Sequence, residues 1–552
     1  MRNLEAKALL GRTLLFLTAI LPVSMLPNNA MDPINTPQLT VLITSGFIIF
    51  GLHIFGNLTT SYREHKTALI LLIVFNSIAL ISAITSKGNL ISQFYGAHGR
   101  YNGILTYFIL SLILFSAIKL SDDNFIQKYL RAIIGIGSLA TLYGVIQNFG
   151  LDPIAWENEF SPVIGFLGNP NFQSAFLSIT GVPIFAAILT NKGLRKIQIS
   201  YLMIFSLLLF VIFRTESRQG LFSLAAGVGS MLCIWLYTNK NKKILYVFIS
   251  LILILSTVVL LAIFKLGPFA TLLYRRSNSA RVYYWEAAWK MTREHPFLGV
   301  GLDNYGEWYR RARSKDAVAE FGINSVSDVA HNVFLEFSAS GGFTLLTVYL
   351  GILALTIISI IRVIKRQTEF NTHYTGLVGA WIAYQTQSLV SINQLTLVML
   401  GWTLTGLLIG YDVMEVAKSK LVQAKAIRNS RRESNPKFIL VIAIFGILGF
   451  SIGAQPMIAS IKYREAIASG DVQRIYASAK LFPNQPFRIY QISSVLRDNQ
   501  FEGEALEVIE FGLTKFPDYY QLLRLLSETK GISGVELNEI KAKLISLEPY
   551  GS

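Results

Sequence analysis

Between an apolar run that ends near Phe264 and another that begins near Gly342, roughly 65 residues stay polar and aromatic, and connecting segments of that length are usually functional. The segment carries Arg281, Trp285, Trp289, Trp308 and Tyr309 and closes on Ala330-His331-Asn332. A guanidinium beside aromatic faces suits a sugar joined to a phosphate, because the cation takes the anion and the rings take the sugar. A neutral imidazole can accept the proton of a hydroxyl as its oxygen attacks. These are the parts of a group-transfer site, and each also has a structural reading.

The run Ser279-Ala280-Arg281-Val282-Tyr283-Tyr284-Trp285, continuing to Trp289, predicts a helix with Arg281, Trp285 and Trp289 on one face. That face either grips a phosphorylated sugar or anchors an amphipathic helix at a membrane interface. His331 is followed by Asn332 and, five residues on, by Glu336; it either handles an acceptor proton or is a structural histidine. No other His or Cys stands at metal-ligand spacing with it, so no metal site is expected. Ser217-Arg218-Gln219-Gly220 opens an apolar run, where an arginine either offers a planar fork of donors to phosphate or snorkels from a helix end. Gly165-Phe166-Leu167-Gly168-Asn169-Pro170-Asn171-Phe172 precedes another such run. Its Gly-Asn and Asn-Pro pairs form either a plain entry turn or a re-entrant turn that offers amides to a ligand.

The elements that must position these residues are membrane helices. Of the 552 residues, 52% are apolar and only 15% charged, a composition that points to an all-α, polytopic membrane protein. About thirteen runs are long enough to cross the hydrocarbon core. They centre on residues 13–27, 39–56, 67–85, 103–120, 130–149, 172–190, 196–213, 219–238, 244–264, 342–361, 374–390, 395–411 and 438–454. The basic N-terminal region with Arg2, Lys7 and Arg12 lacks a small-residue cleavage pattern, so it reads as the first span rather than a signal peptide. The single cysteine, Cys233, lies within a span and excludes a disulfide framework.

The net charge of +16 does not indicate nucleic acid, because it is asymmetric along the chain. With the N-terminus cytoplasmic, inside segments carry about 24 Lys and Arg against about 4 on the short outside links, the positive-inside pattern. Inside clusters include Lys192, Arg195 and Lys196; Lys240, Lys242 and Lys243; Arg362, Lys365 and Arg366; and a run from Lys418 to Lys437 with Arg428, Arg431 and Arg432. The same topology puts the 265–330 loop, the Arg214–Arg218 link and everything after Ala454 outside. Residues 1–454 then form the membrane domain.

Residues 455–552 form a polar tail with helical periodicity. Leu481-Phe482-Pro483 is echoed at Lys515-Phe516-Pro517 and Leu547-Glu548-Pro549, the prolines standing 34 and then 32 residues apart. That spacing is close to the period of tetratricopeptide helix pairs. The tail is either a docking module for a partner protein or acceptor, or a cap over the outer mouth.

Four segments occur in one order: Gly168-Asn169-Pro170-Asn171-Phe172; Ser217-Arg218-Gln219-Gly220; Arg281 with Trp285 and Pro296-x-x-Gly299-x-Gly301; and Ala330-His331-Asn332. In that order and topology the chain resembles the O-antigen ligase superfamily over roughly residues 10–412, most strongly over 160–340. That superfamily includes lipopolysaccharide O-antigen ligases, O-antigen polymerases and bacterial protein O-oligosaccharyltransferases. The resemblance implies a membrane glycosyltransferase that moves a glycan from undecaprenyl diphosphate to an acceptor hydroxyl, outside the cytoplasmic (inner) membrane, with no metal or cofactor. It implies that Arg218 and Arg281 hold the diphosphate and His331 positions or deprotonates the acceptor. Asn169, Asn171, Tyr284, Trp285, Trp289 and Asn332 are the expected substrate contacts. The span at 438–454 and the tail depart from simple lipid A-core ligases, so the acceptor stays open among lipid A core, growing glycan and protein. Two other classes fit the composition alone: an anion or solute transporter, and a non-catalytic assembly factor whose tail recruits partners.

Overall fold

The computed structural model describes residues 2–56, 65–86, 88–156, 161–190, 195–263, 276–421, 436–529 and 533–550, and these are helical with connecting turns. The first half holds α1 (Arg2–Ile20), α2 (Asn35–Phe55), α3 (Lys66–Thr85), α4 (Leu90–Tyr95), α5 (Ile104–Leu120), α6 (Asp123–Asn148), α7 (Pro170–Thr190), α8 (Arg195–Arg214), α9 (Arg218–Thr238) and α10 (Lys242–Ile263). The polar segment folds as α11 (Arg276–Glu294), α12 (Tyr305–Ala312) and α13 (Lys315–Phe321). Then come α14 (Val333–Arg366), α15 (Thr372–Ser388), α16 (Leu395–Leu421) and α17 (Pro436–Gly453). The tail is α18 (Gln455–Ser469), α19 (Val472–Ser478), α20 (Pro486–Asp498), α21 (Glu502–Lys515), α22 (Tyr520–Ser527) and α23 (Gly534–Leu547).

Each of the thirteen expected runs falls on a helix, but not all have the length and apolarity of a span. Among the described residues nine helices do, and the bent pair α17–α18 makes a tenth. α5, with 17 residues, is one residue short, and α15 carries Gln385 and Gln387. Lys192, Arg428, Arg431, Arg432 and the start of the outer loop, 264–275, lie outside the described residues.

α16 is the hub: 89% of its apolar window is buried, whereas only 17% of the α8 window is. Ile199, Met203 and Phe213 on α8 stay exposed, an arrangement that suits lipid rather than water. Interhelical contacts use small residues because lipid supplies no hydrophobic drive to pull spans together. Where α9 crosses α15, a Cβ on Gly227 would stand 2.7 Å from the Gly379 carbonyl oxygen, and one on Gly379 equally near that of Gly227.

Contacts fix which helix ends lie together. α9 runs antiparallel to α15, since Gly227 meets Ala383 while Gly379 meets Met231, so Arg218 at the start of α9 lies at the same end as Leu389 beyond α15. Asn332, the N-cap of α14, donates its side-chain amide to the Leu389 carbonyl at 2.9 Å. The α7 start joins the same end through Ser217, whose hydroxyl donates to the Asn171 amide oxygen at 2.8 Å. The end of α3 joins it through Ser82, whose hydroxyl bonds the Leu298 and Ser340 carbonyls. The opposite end holds Lys7–Asp122 and the Arg366–Asp412 ion pair.

The tail packs helix upon consecutive helix around its own core, with Ile489, Ile492, Val508 and Leu522 at its centre. It grips the polar segment through charge. The Glu548 carboxylate accepts from Arg313 and, at 3.2 Å, from Arg310, all three buried. Arg311 pairs with Asp518 at 2.9 Å, and the Arg310 guanidinium lies 4.3 Å from the Tyr520 ring centre.

Candidate active site

The position of His331 starts with a broken helix. At 34 residues α14 would be about 51 Å long, well beyond a bilayer core. It breaks at Gly342, whose φ of 67° and ψ of −172° are non-helical and whose Cβ would strike the Pro296–Phe297 backbone at 2.5 Å. The carbonyls freed by the break are satisfied by the polar segment: Val300 N–H donates to Ala339 O at 2.9 Å and Gly301 N–H to Ser340 O at 3.0 Å. Gly299 has no room for a side chain, since a Cβ would lie 2.3 Å from the Ala339 oxygen. The Pro296-x-x-Gly299-x-Gly301 pattern therefore stitches the outer segment to the kink. The short half-helix 333–341 is left to carry the site, with Asn332 capping it through hydrogen bonds accepted from Phe334 and Leu335 N–H.

His331 precedes that cap in the left-handed region, φ 53°, as do Asp303 (φ 55°) and Tyr101 (φ 56°). Non-glycine residues rarely adopt this region, and such conformers gather at functional sites. The His331 ring packs against Tyr284 with centroids 5.3 Å apart. Its Nδ1 lies 3.3 Å from the Val329 carbonyl oxygen. A carbonyl only accepts, so Nδ1 carries the proton and Nε2 keeps its lone pair. Burial, then the Arg281 and Arg100 guanidiniums, hold the imidazole pKa down to about 4, so the ring is neutral at physiological pH.

Arg281 reaches this cluster from α11. It makes no ion pair among the described residues, and burial pushes its guanidinium below its ordinary value. Arg100, in contrast, is fully paired: Nε and one terminal nitrogen donate to the Asp328 carboxylate at 2.8 and 3.1 Å. Burial raises the Asp328 carboxyl, but Arg100 outweighs it and the net shift is downward. Asp303 accepts from the Ala97 and Asn102 amides at 2.6 and 3.2 Å, and burial lifts its carboxyl to about 6. Glu336 accepts from Ala330 N–H at 2.6 Å through one oxygen, while its other oxygen is buried without a partner among the described residues.

Of these groups Asp303, His331 and Glu336, with Asn102 and Asn393 among others, line a cavity of about 380 Å³. Its floor is a polar chain: Asn102 donates to the Asn393 carbonyl, Asn393 to the Tyr107 hydroxyl, and the Tyr384 hydroxyl to Asn393. Among the described residues no group of three or more His, Cys, Asp or Glu is arranged to hold a metal ion.

The residues singled out by sequence divide into two sets. Arg281, Tyr284, His331 and Asn332 come together, with the Asn332 amide committed to the cap and to Leu389. Arg218 is exposed, at the same end of the bundle, and no contact among the described residues ties it to His331. Asn169 and Asn171 build its platform: Asn169 accepts from Asn171 N–H, and Asn171 accepts from Ser217 and Gln219. The helix phase differs from the expected face. Tyr284, not a tryptophan, lies on the imidazole, while the exposed Trp289 packs on Phe343 beside the kink. Trp285 is half-buried on α11. Trp308 packs edge-on against His295 and lies beside Arg311, and Tyr309 is buried against Tyr284.

Sequence reasoning missed Arg100, Asp303 and Asp328. The available signal was an arginine on a short link between two spans, the same signal that marked Arg218.

No curated protein matches the chain. Residues 203–350 match the family model described as O-antigen ligase. That stretch contains Arg218, Arg281 and His331, and over these residues the chain is similar to the O-antigen ligase family.

Proposed function

We propose that this multi-pass membrane protein is a glycosyltransferase of ligase type. It transfers a glycan from undecaprenyl diphosphate to an acceptor hydroxyl at the extracytoplasmic face of the cytoplasmic membrane. The observation that carries this reading is a neutral imidazole with a free Nε2 lone pair that lines a polar cavity, close enough to feel the charge of Arg281, a guanidinium without an ion pair among the described residues. The acceptor oxygen attacks the anomeric carbon and forms the new glycosidic bond. The bond from that carbon to the diphosphate oxygen breaks, and its electron pair leaves with undecaprenyl diphosphate. His331 Nε2 takes the hydroxyl proton. Arg281, joined by Arg218, offsets the charge that grows on the leaving group, an effect strengthened where water is scarce.

The basic clusters at the end opposite the cavity support a cytoplasmic assignment for that end, with the N-terminus inside and the tail outside. Residues 1–454 act as the membrane domain, and 455–552 as a helical-repeat tail. The buried Glu548 contacts with Arg310 and Arg313 support a tail that caps the site by holding the outer segment in place.

A cell lacking the protein tests the reading. It is expected to accumulate the lipid-linked donor and to lose one product: glycan on a lipid core, a longer carrier-linked glycan, or a glycoprotein. Which product disappears separates ligase, polymerase and protein glycosylation. Unchanged levels of all of them, together with Arg218-dependent solute uptake by proteoliposomes, would instead mean a transporter.

A further inference from the structure

A second cavity, of about 420 Å³, lies between the tail and the membrane helices. Its walls include His98 and Tyr101 from the link before α5, Ser460 and Tyr463 from α18, and Gln485 and Arg488 at the start of α20. The 97–102 link partitions the two cavities: Asn102 lines the His331 cavity and Arg100 pairs with Asp328 beside it, whereas His98 and Tyr101 line the tail side.

Arg488 is 4% exposed and makes no ion pair among the described residues. One terminal nitrogen donates to the Leu481 and Pro483 carbonyls, but its Nε is buried without an acceptor. A buried cation with no counter-charge is costly, and such groups persist where a ligand supplies the charge. The surroundings suit a sugar. His98 stacks on Phe487 at 5.2 Å with the planes 23° apart, and Tyr101 meets the His98 ring edge-on. His98 Nδ1 bonds the Gln485 amide oxygen at 3.0 Å, which leaves the Gln485 side-chain nitrogen buried and without a partner. Gln491 adds a further amide to the lining.

We infer that this cavity is a binding site for an anionic saccharide unit, with Arg488 taking its carboxylate or phosphate, the Phe487–His98 stack its ring, and Gln485 and Gln491 its hydroxyls. The inference stands on the cavity's own residues and does not depend on the transfer reaction.

Binding of glucuronate, glucose 6-phosphate and glucose to the full chain in nanodiscs, read by saturation-transfer NMR and calorimetry, tests it. At least one of the two anions binds at least tenfold more tightly than glucose, and their relative affinities tell carboxylate from phosphate. Arg488→Gln weakens that binding at least tenfold, and so does Gln491→Trp, which fills the cavity and keeps the Arg488 charge. His331→Ala leaves it unchanged. If Arg488→Gln does not fold, Gln491→Trp decides. Equal binding of glucose and both anions, as expected if Arg488 only ties the 481–483 turn, overturns the inference. So does anion binding that survives Gln491→Trp or is lost in His331→Ala.

Discussion

The two ends of the helix bundle treat their cations differently. At the basic end several charged side chains pair loosely at the surface, although Arg366 joins the buried Asp412 directly. Lys7 lies 3.8 Å from Asp122, and Arg362, 62% exposed, lies 3.7 Å from Asp412. At the cavity end, guanidiniums fall into two groups. Arg100, Arg310, Arg311 and Arg313 are held by three carboxylates, Asp328, Glu548 and Asp518, each far from its arginine in sequence. Arg218, Arg281 and Arg488 make no ion pair among the described residues. The paired set ties the outer segment together, and on the proposed reading the unpaired set is left for ligands. A surface pair contributes little, whereas a buried charge without a partner is retained only against a cost.

The sharpest way to break this division is to remove a carboxylate from the paired set. Glu548→Ala leaves Arg310 and Arg313 buried without a counter-charge, a loss of about 3–5 kcal/mol for breaking a buried pair. The expected readout is faster hydrogen exchange across residues 305–330 with the membrane helices unaffected. Protection unchanged in that segment would mean the tail does not hold it.

The unpaired set is predicted to lose chemistry rather than fold. Arg218→Ala should slow transfer by about 10²-fold, the scale for removing one preorganised charge from a leaving group, with melting temperature unchanged. Arg218→Lys keeps a cation at an exposed site and should restore part of that loss. A cut no larger than that of Arg362→Gln at the opposite end would put Arg218 among ordinary snorkelling residues.

The pH dependence gives a smaller effect. His331 must be neutral to accept a proton, and its pKa is held at about 4, so turnover should stay level from neutrality to about pH 5 and fall below that. Asp303, raised to about 6, lines the same cavity and titrates in this range. A step near pH 6 that vanishes in Asp303→Asn belongs to that carboxyl. A step near 6.5 that survives in Asp303→Asn contradicts the depressed imidazole.

Smallest of all is Trp289→Ala. Its ring packs on Phe343 by the kink and not on His331, so turnover should change less than about threefold, the scale of one edge-to-face aromatic contact. A loss as large as that of Arg218→Ala would return this tryptophan to the substrate path.

Much of the scaffold was legible because apolar run length and helical period report directly on membrane helices. The span expected to begin at Gly342 begins where α14 kinks, since the apolar run and the backbone break share one cause, the glycine that admits the Pro296–Phe297 backbone. His331 and Arg281 stood out as charged or titratable groups beside membrane runs. Tyr284 was expected as a substrate contact but not as the ring on the imidazole, because one residue of helix phase separates it from Trp285, and i,i+4 spacing cannot say which face turns inward. Arg100–Asp328 and Arg313–Glu548 join residues 228 and 235 positions apart, which no local pattern encodes. The second cavity was hidden for the same reason: its walls come from the 98–101 link and from α18 and α20, brought together only by the tail.

The most direct measurement is turnover by purified protein in proteoliposomes supplied with an undecaprenyl-diphosphate-linked glycan and the acceptor identified in cells. Wild type should form glycoconjugate and release undecaprenyl diphosphate in equal amounts. His331→Ala and Arg281→Ala, with unchanged melting temperature, should each form product at least about 10²-fold more slowly. Variants that turn over at the wild-type rate would contradict a transfer reaction run by this imidazole and this guanidinium.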